Sequence, residues 1–304
     1  YCIQKVLFMN LKIPILVIII ILTYHNKVAG QGHDISSPDS HLKISVNFSK
    51  VTCFTITYKG KGVVEKMCID LTLSDGRAFG SSPKVASTKS EKFNQTIEVP
   101  VPNKDRIIKS DFNQLTIFFQ KKYNLIIRAY NDGFAYRFID NKKNSKNVID
   151  EKLEFHFNDG TRSYFPWEES TYSHNERLYN RVRISDLIDK DFCSLPVLFN
   201  SNETKILFSE ASLYDYPGMF LEKTPYNTLV SKFPRYVLKA TSAIFDPTKG
   251  DQKLEGTEND SDRTQQIVEE GDYIAKIDGK KEFPWRVFIV SEDDRTFVES
   301  NLIT

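Results

Sequence analysis

The chain has 304 residues, of which 40% are apolar and 12% aromatic, with 13 glycines and 12 prolines. That is enough apolar material for a sizeable core and too little Gly and Pro for a disordered or fibrous chain. The formal net charge is +1 and no long basic run occurs, which argues against nucleic acid as a partner.

Met9-Asn-Leu-Lys12, the apolar run of residues 13–22 and Val28-Ala29-Gly30 follow the basic, apolar and small-residue order of a secretory signal peptide. The apolar run is too short for a membrane span. Residues 1–30 are therefore read as upstream residues plus a signal. Residues 31–304 are read as one exported domain, periplasmic or extracellular, with no stable membrane insertion after signal removal. Beyond Cys2 the chain carries Cys53, Cys68 and Cys193. One disulfide, such as Cys53 with Cys68 across neighbouring strands, is permitted in an exported protein, and the spacing does not demand it.

Leu42, Ile44, Val46 and Phe48 alternate with polar residues and predict a half-buried strand. Phe54, Ile56 and Tyr58 repeat the pattern, Lys59-Gly60-Lys61-Gly62 reverses the chain, and residues 63–73 supply a further strand. Residues 74–95 are polar and turn-rich and read as a surface excursion, with strands resuming at 96–101. Residues 115–119, 125–130 and 134–139 predict a meander. Its last two strands are joined by Asn131-Asp132-Gly133, a turn expected to use the tolerance of Asn and Gly for positive φ. Residues 153–157, 195–199, 205–209, 236–239, 273–277 and 285–290 also read as strands. Residues 250–270 read as a mobile polar loop, and 293–302 as the one candidate helix, with Phe297, Val298 and Leu302 as its apolar stripe. Many short strands between turns define the all-β class, a large antiparallel sandwich whose edge loops carry function.

Candidate chemistry concentrates in residues 164–187, YFPWEESTYSHNERLYNRVRISDL, which bring together Trp167, Glu168, Glu169, His174, Glu176, Arg177, Tyr179 and Arg181. Aromatic faces stack on the C–H faces of sugars, carboxylates bind hydroxyls or a hard cation, and guanidinium groups orient carboxylates. A solvated connection with buried aromatics is the competing reading. Glu168 and Glu169, adjacent on an extended chain, point to opposite sides and do not form an acid–base pair by themselves. A second segment, FSEASLYDYPGMF at 208–220, places Glu210, Tyr214 and Asp215 at a strand end. Phosphate loops, GxSxG, HExxH and EF-hand patterns are absent. His33, His41, His156 and His174 are dispersed, and a mutarotase-like epimerase would need one of them facing an acid in a cleft.

In this order, SSPDSHLKISV, the 128–138 hairpin RAYNDGFAYRF, SEASLYDYPGMFL and the closing FPWRVFIVSEDD resemble the N-terminal domain of glycoside hydrolase family 97. The resemblance covers nearly all of residues 36–304. It implies an all-β, large antiparallel β-super-sandwich, galactose-mutarotase-like, preceding a catalytic (β/α)8 barrel that is absent from this chain. It also implies that the domain lends part of the active-site pocket and a glutamate ligand to calcium in α-glucosidases and α-galactosidases. Glu176 of HNERLY is the position that matches that glutamate, with Glu210 as second choice. Trp167, Glu169, His174 and Tyr214 are the candidates for contact with an α-linked oligosaccharide. No catalytic acid or base is expected among these residues. The alternative is a stand-alone, lectin-like carbohydrate-binding module.

Overall fold

The computed structural model describes residues 33–102, 104–172, 175–201, 203–242 and 265–303. The residues read as a signal peptide, most of the 250–270 loop and His174 lie outside them. The chain opens with β1 (His33–Ser36), β2 (Leu42–Phe48), β3 (Thr52–Tyr58) and β4 (Lys61–Leu73). The hairpin of β5 (Val85–Glu98) and β6 (Ile107–Phe119) follows, then β7 (Tyr123–Tyr130), β8 (Gly133–Asp140) and β9 (Lys146–His156). Next come β10 (Arg162–Glu168), β11 (Tyr179–Arg183), β12 (Phe192–Cys193), β13 (Val197–Ser201) and β14 (Thr204–Ala211). β15 (Phe220–Thr224), β16 (Thr228–Lys232), β17 (Val237–Ser242), β18 (Gln265–Glu270), β19 (Ala275–Ile277), β20 (Lys281–Glu282), β21 (Trp285–Ser291) and the short helix α1 (Asp294–Glu299) complete the fold.

Two large antiparallel sheets result, with β17 and β18 paired as a separate two-stranded sheet. One runs β1-β2-β3-β4-β9-β16-β15-β12, with β19 beside the first half of β9. The other runs β5-β6-β7-β8-β21-β14-β13-β10-β11. β10 belongs to both: its first half pairs with β13, while Trp167 and Glu168 pair with β12. Alternation makes each sheet apolar on its inner face, and the aromatic rings there carry much of the buried area. Phe155 of the first sheet meets Phe208 and Phe288 of the second at 5.5 and 6.0 Å, and Phe54 meets Tyr136 at 5.4 Å. The all-β expectation holds.

Residues 85–95 depart from the expected surface excursion and join the expected strand from residue 96 on. Residues 85–98 form β5, the edge of the second sheet, but the strand is exposed along most of its length, so no apolar alternation marks it. Its one strong packing contact is Phe93, stacked on Phe112 at 4.8 Å. The end of the polar 250–270 stretch is also a strand, β18, paired with β17. The helix is shorter than expected and buries none of its residues; Asp293 caps it by accepting from Arg295 N at 3.0 Å. Among the described residues no helix is long and apolar enough to cross a membrane.

Cys53 and Cys68 are cross-strand partners on β3 and β4 and are disulfide-bonded, while Cys193 is a buried free thiol. Their sequence separation is 15. Closing a loop of that size removes chain entropy from the unfolded state worth about 3 kcal/mol. Replacing both cysteines with Ala is expected to lower the unfolding free energy of the oxidised protein by that amount, read as a lower urea midpoint at unchanged slope. An unchanged midpoint would mean that the bond does not constrain the unfolded chain.

Candidate functional site at one end of the sandwich

Because β10 crosses from one sheet to the other, the residues after it emerge where the two sheets meet. Phe165 and Trp167 share one face of the strand, with ring centroids 5.0 Å apart, and Trp167 packs half-buried against the core. Glu168 points the other way. Its side chain is 0% exposed and accepts from Arg177 Nε at 2.9 Å. The neighbouring Glu169 is exposed, so the two acids do face opposite sides.

The Glu168–Arg177 ion pair closes the intervening loop at its base. Tyr172 ties the loop a second time, its hydroxyl donating to Arg235 O at 2.9 Å or to Glu270 Oε1 at 2.5 Å. Burial, and then the Glu270 carboxylate, push that phenol well above its ordinary pKa. Glu176 lies on the same loop and is exposed, as are Leu178 and Tyr179.

The second candidate segment is organised by a buried charge that the sequence reading overlooked. Arg286 of β21 is 1% exposed and reaches across the sandwich to Glu151 of β9, with Nε–Oε1 at 2.8 Å and Nη2–Oε2 at 2.6 Å. Its Nη1 pairs with Glu210 Oε1 at the end of β14. The other oxygen of Glu210 accepts from Met219 N at 3.1 Å, and Tyr216 donates to Glu151 Oε2 at 2.7 Å. Burial raises the Glu210 carboxyl above its usual range, against the opposing pull of Arg286. Glu210 therefore clamps both ends of the 211–218 loop. Within it Ser212 and Asp215 adopt left-handed φ values of 57° and 49°. Such a backbone is strained in non-glycine residues and persists where its surroundings hold it. Tyr214 is 76% exposed, and its carbonyl accepts from Lys281 Nζ at 2.7 Å.

Among the described residues no group of three or more His, Cys, Asp or Glu side chains converges as a metal site would require. Calcium takes about six to eight oxygens. Glu176 is an exposed hard-oxygen donor, and both oxygens of Glu210 hold protein partners. Glu176 fits part of a calcium site, whereas Glu210 would have to share oxygens already held by Arg286 and Met219, and either would need oxygens from elsewhere to complete one. His156 Nε2 lies 2.6 Å from Glu154 Oε1, but the two are side by side on β9, and Lys152 holds the same carboxylate at 2.5 Å. The epimerase reading gains no facing acid–base pair from them. The signal for Arg286 was available: it is the one charge in the apolar strand WRVFIV.

The fold and its strand-end loops define an all-β sandwich domain, and comparison with known proteins makes this specific. The profile of the family described as Glycosyl-hydrolase 97 N-terminal matches residues 35–304, and the chain belongs to that family. A retaining alpha-galactosidase of Bacteroides thetaiotaomicron is 26% identical over 279 residues, which are 88% of this chain and 40% of that protein. The chain thus spans well under half of the curated relative it matches. A Glycoside Hydrolase Family 97 enzyme from Pseudoalteromonas sp. strain K8, solved with panose and with acarbose, is similar in fold. Its TM-score is 0.70 at 18% identity, over 89% of this chain and 37% of that one. A beta-arabinopyranosidase structure matches with a TM-score of 0.65 at 19% identity, over 90% of this chain and 42% of that one.

Proposed function

We propose that this chain is the N-terminal domain of an exported glycoside hydrolase acting on α-glycosides. In this reading it lends part of the active-site pocket, carbohydrate contacts and a calcium ligand, and it packs against a catalytic barrel of the same polypeptide. The observation that carries the reading is the match to a retaining alpha-galactosidase across 88% of this chain but only 40% of that relative. Hydrolysis then belongs to the whole polypeptide, and the chain alone hydrolyses nothing. The Cys53–Cys68 bond supports an oxidising compartment.

Glu168–Arg177 and Tyr172 hold described residues of the loop that carries Glu169 and Glu176, and both of these acids are exposed. Glu176 is the first residue assigned to calcium and Glu210 the second. Bound there, the cation would supply hard-oxygen coordination linking protein carboxylates to sugar hydroxyls. Trp167, Glu169, His174 and Tyr214 remain the proposed sugar contacts, with the core-packed Trp167 offering only the exposed part of its ring.

In the whole polypeptide, Glu176→Gln is expected to weaken calcium affinity by at least about tenfold, a loss no smaller than that seen for outer-shell partners of metal ligands. Calcium titration by calorimetry reads this directly. An unchanged affinity removes Glu176 from the site. The exposed Tyr214 ring favours one alternative, a lectin-like module. Binding of a neutral α-glucan by residues 31–304 in the presence of a chelator would mark that case.

A further inference from the structure

A hollow of about 570 Å³ opens between the strained 212–217 loop, the start of β9 and the β19–β20 turn. Its floor is built on buried charges. Lys146 has a side chain that is 1% exposed and donates to Asp140 at 2.9 Å and to Asn144 O and Gly279 O at 2.8 and 3.2 Å. Asp140 is 0% exposed and is held in turn by both terminal nitrogens of Arg77 at 2.7 Å. Burial works against the Asp140 carboxylate, and the hydrogen bonds from Arg77 and Lys146 outweigh it and hold its pKa low. One ammonium thus locks two turns, so the hollow is ordered without a ligand.

The walls carry three further lysines, Lys276, Lys280 and Lys281. Among the described residues, none of them has a carboxylate within ion-pair distance. Lys281 rests on the Tyr214 carbonyl at 2.7 Å, and Lys276 lies over the Tyr236 ring at 4.7 Å. Asp215 and Asp278 stand on the same lining, Asp278 accepting from the Ser145 hydroxyl at 2.7 Å. Uncompensated ammonium groups around a concave surface concentrate a positive field and favour an anion. Two carboxylates on that lining disfavour a densely charged ligand such as a polyphosphate, while they accept hydroxyl donors well.

We propose that this hollow binds an oligosaccharide carrying a single anionic substituent per residue, a carboxylate or a sulfate. The lysines take the anion, and Asp215 and Asp278 take ring hydroxyls. The inference goes beyond the proposed hydrolase reading and depends on neither a barrel nor calcium.

The test is calorimetric titration of residues 31–304, with a chelator present, using an oligogalacturonide, a sulfated oligosaccharide, maltotriose and inorganic sulfate as probes. One or both acidic oligosaccharides are expected to bind, more weakly as salt rises, and which one binds identifies the anion. Maltotriose is expected not to bind there. Lys276 and Lys280 are exposed, so Lys276→Gln with Lys280→Glu should fold with an unchanged melting temperature and weaken acidic-sugar binding at least tenfold. Equal binding of maltotriose, indifference to the double substitution, or inorganic sulfate binding as tightly as the acidic sugars would each overturn the proposal.

Discussion

Arg286→Ala is expected to destabilise the domain by about 3–5 kcal/mol at pH 7, the largest single effect foreseen for this chain. The guanidinium is 1% exposed and is the cation for two buried carboxylates on opposite sheets, Glu151 and Glu210. Removing it leaves both acids desolvated and unpaired, a far worse state than losing an exposed ion pair. The loss should depend on pH in a defined direction. Burial already raises the Glu210 carboxyl in the native state, with Arg286 the main force opposing that rise. Without Arg286 the folded-state pKa climbs further above the unfolded one, so the folded state binds the extra proton as pH falls. Stability lost at pH 7 is therefore partly regained toward about pH 5. Urea unfolding of both proteins at the two pH values checks this. A loss below about 1 kcal/mol, or one that does not shrink on acidification, would mean that the network is not coupled as described.

Gly133→Ala is expected to cost about 3 kcal/mol, the upper end for inserting atoms into a packed site. A Cβ built at Gly133 would fall 2.0 Å from Phe288 O and 3.0 Å from Ile289 Cα, both on the paired strand β21. Neither contact is a side chain that can swing away, so β8 and β21 must separate. That shift would pass directly to Arg286, three residues from Ile289 on the same strand. The comparison is Gly133→Ala against Gly60→Ala, since Gly60 has nothing within 4 Å and only its φ of 78° to oppose substitution. If the two lose the same stability, backbone conformation and not close approach is what Gly133 supplies.

Gly133 also illustrates what the sequence made legible. The turn at Asn131-Asp132-Gly133 was readable, but the expected reason was positive φ, and none of these three residues lies in that region. The glycine is needed because another strand passes against it, and a partner 155 positions away leaves no local mark. Strands with one buried face, such as β2 and β7, were legible because burial imposes a period of two. β5 was not, because neither of its faces is buried for most of its length and its pairing with β6 alone holds it. Within the site, the opposite orientation of Glu168 and Glu169 followed from strand geometry, whereas the burial of Glu168 against Arg177 required the fold. Glu151, Glu210 and Arg286 come from three strands on two sheets, and only the odd charge in WRVFIV hinted at them.

The central claim is tested most directly by hydrolysis of nitrophenyl α-glucoside and α-galactoside with calcium present. Three proteins are compared: the full polypeptide encoded by the frame that includes these residues, the same polypeptide without residues 31–304, and residues 31–304 alone. The account predicts hydrolysis by the full polypeptide only, with activity lost when this domain is removed and none in the domain alone. A stop codon directly after Thr304, hydrolysis by residues 31–304 alone, or full activity without them would contradict it.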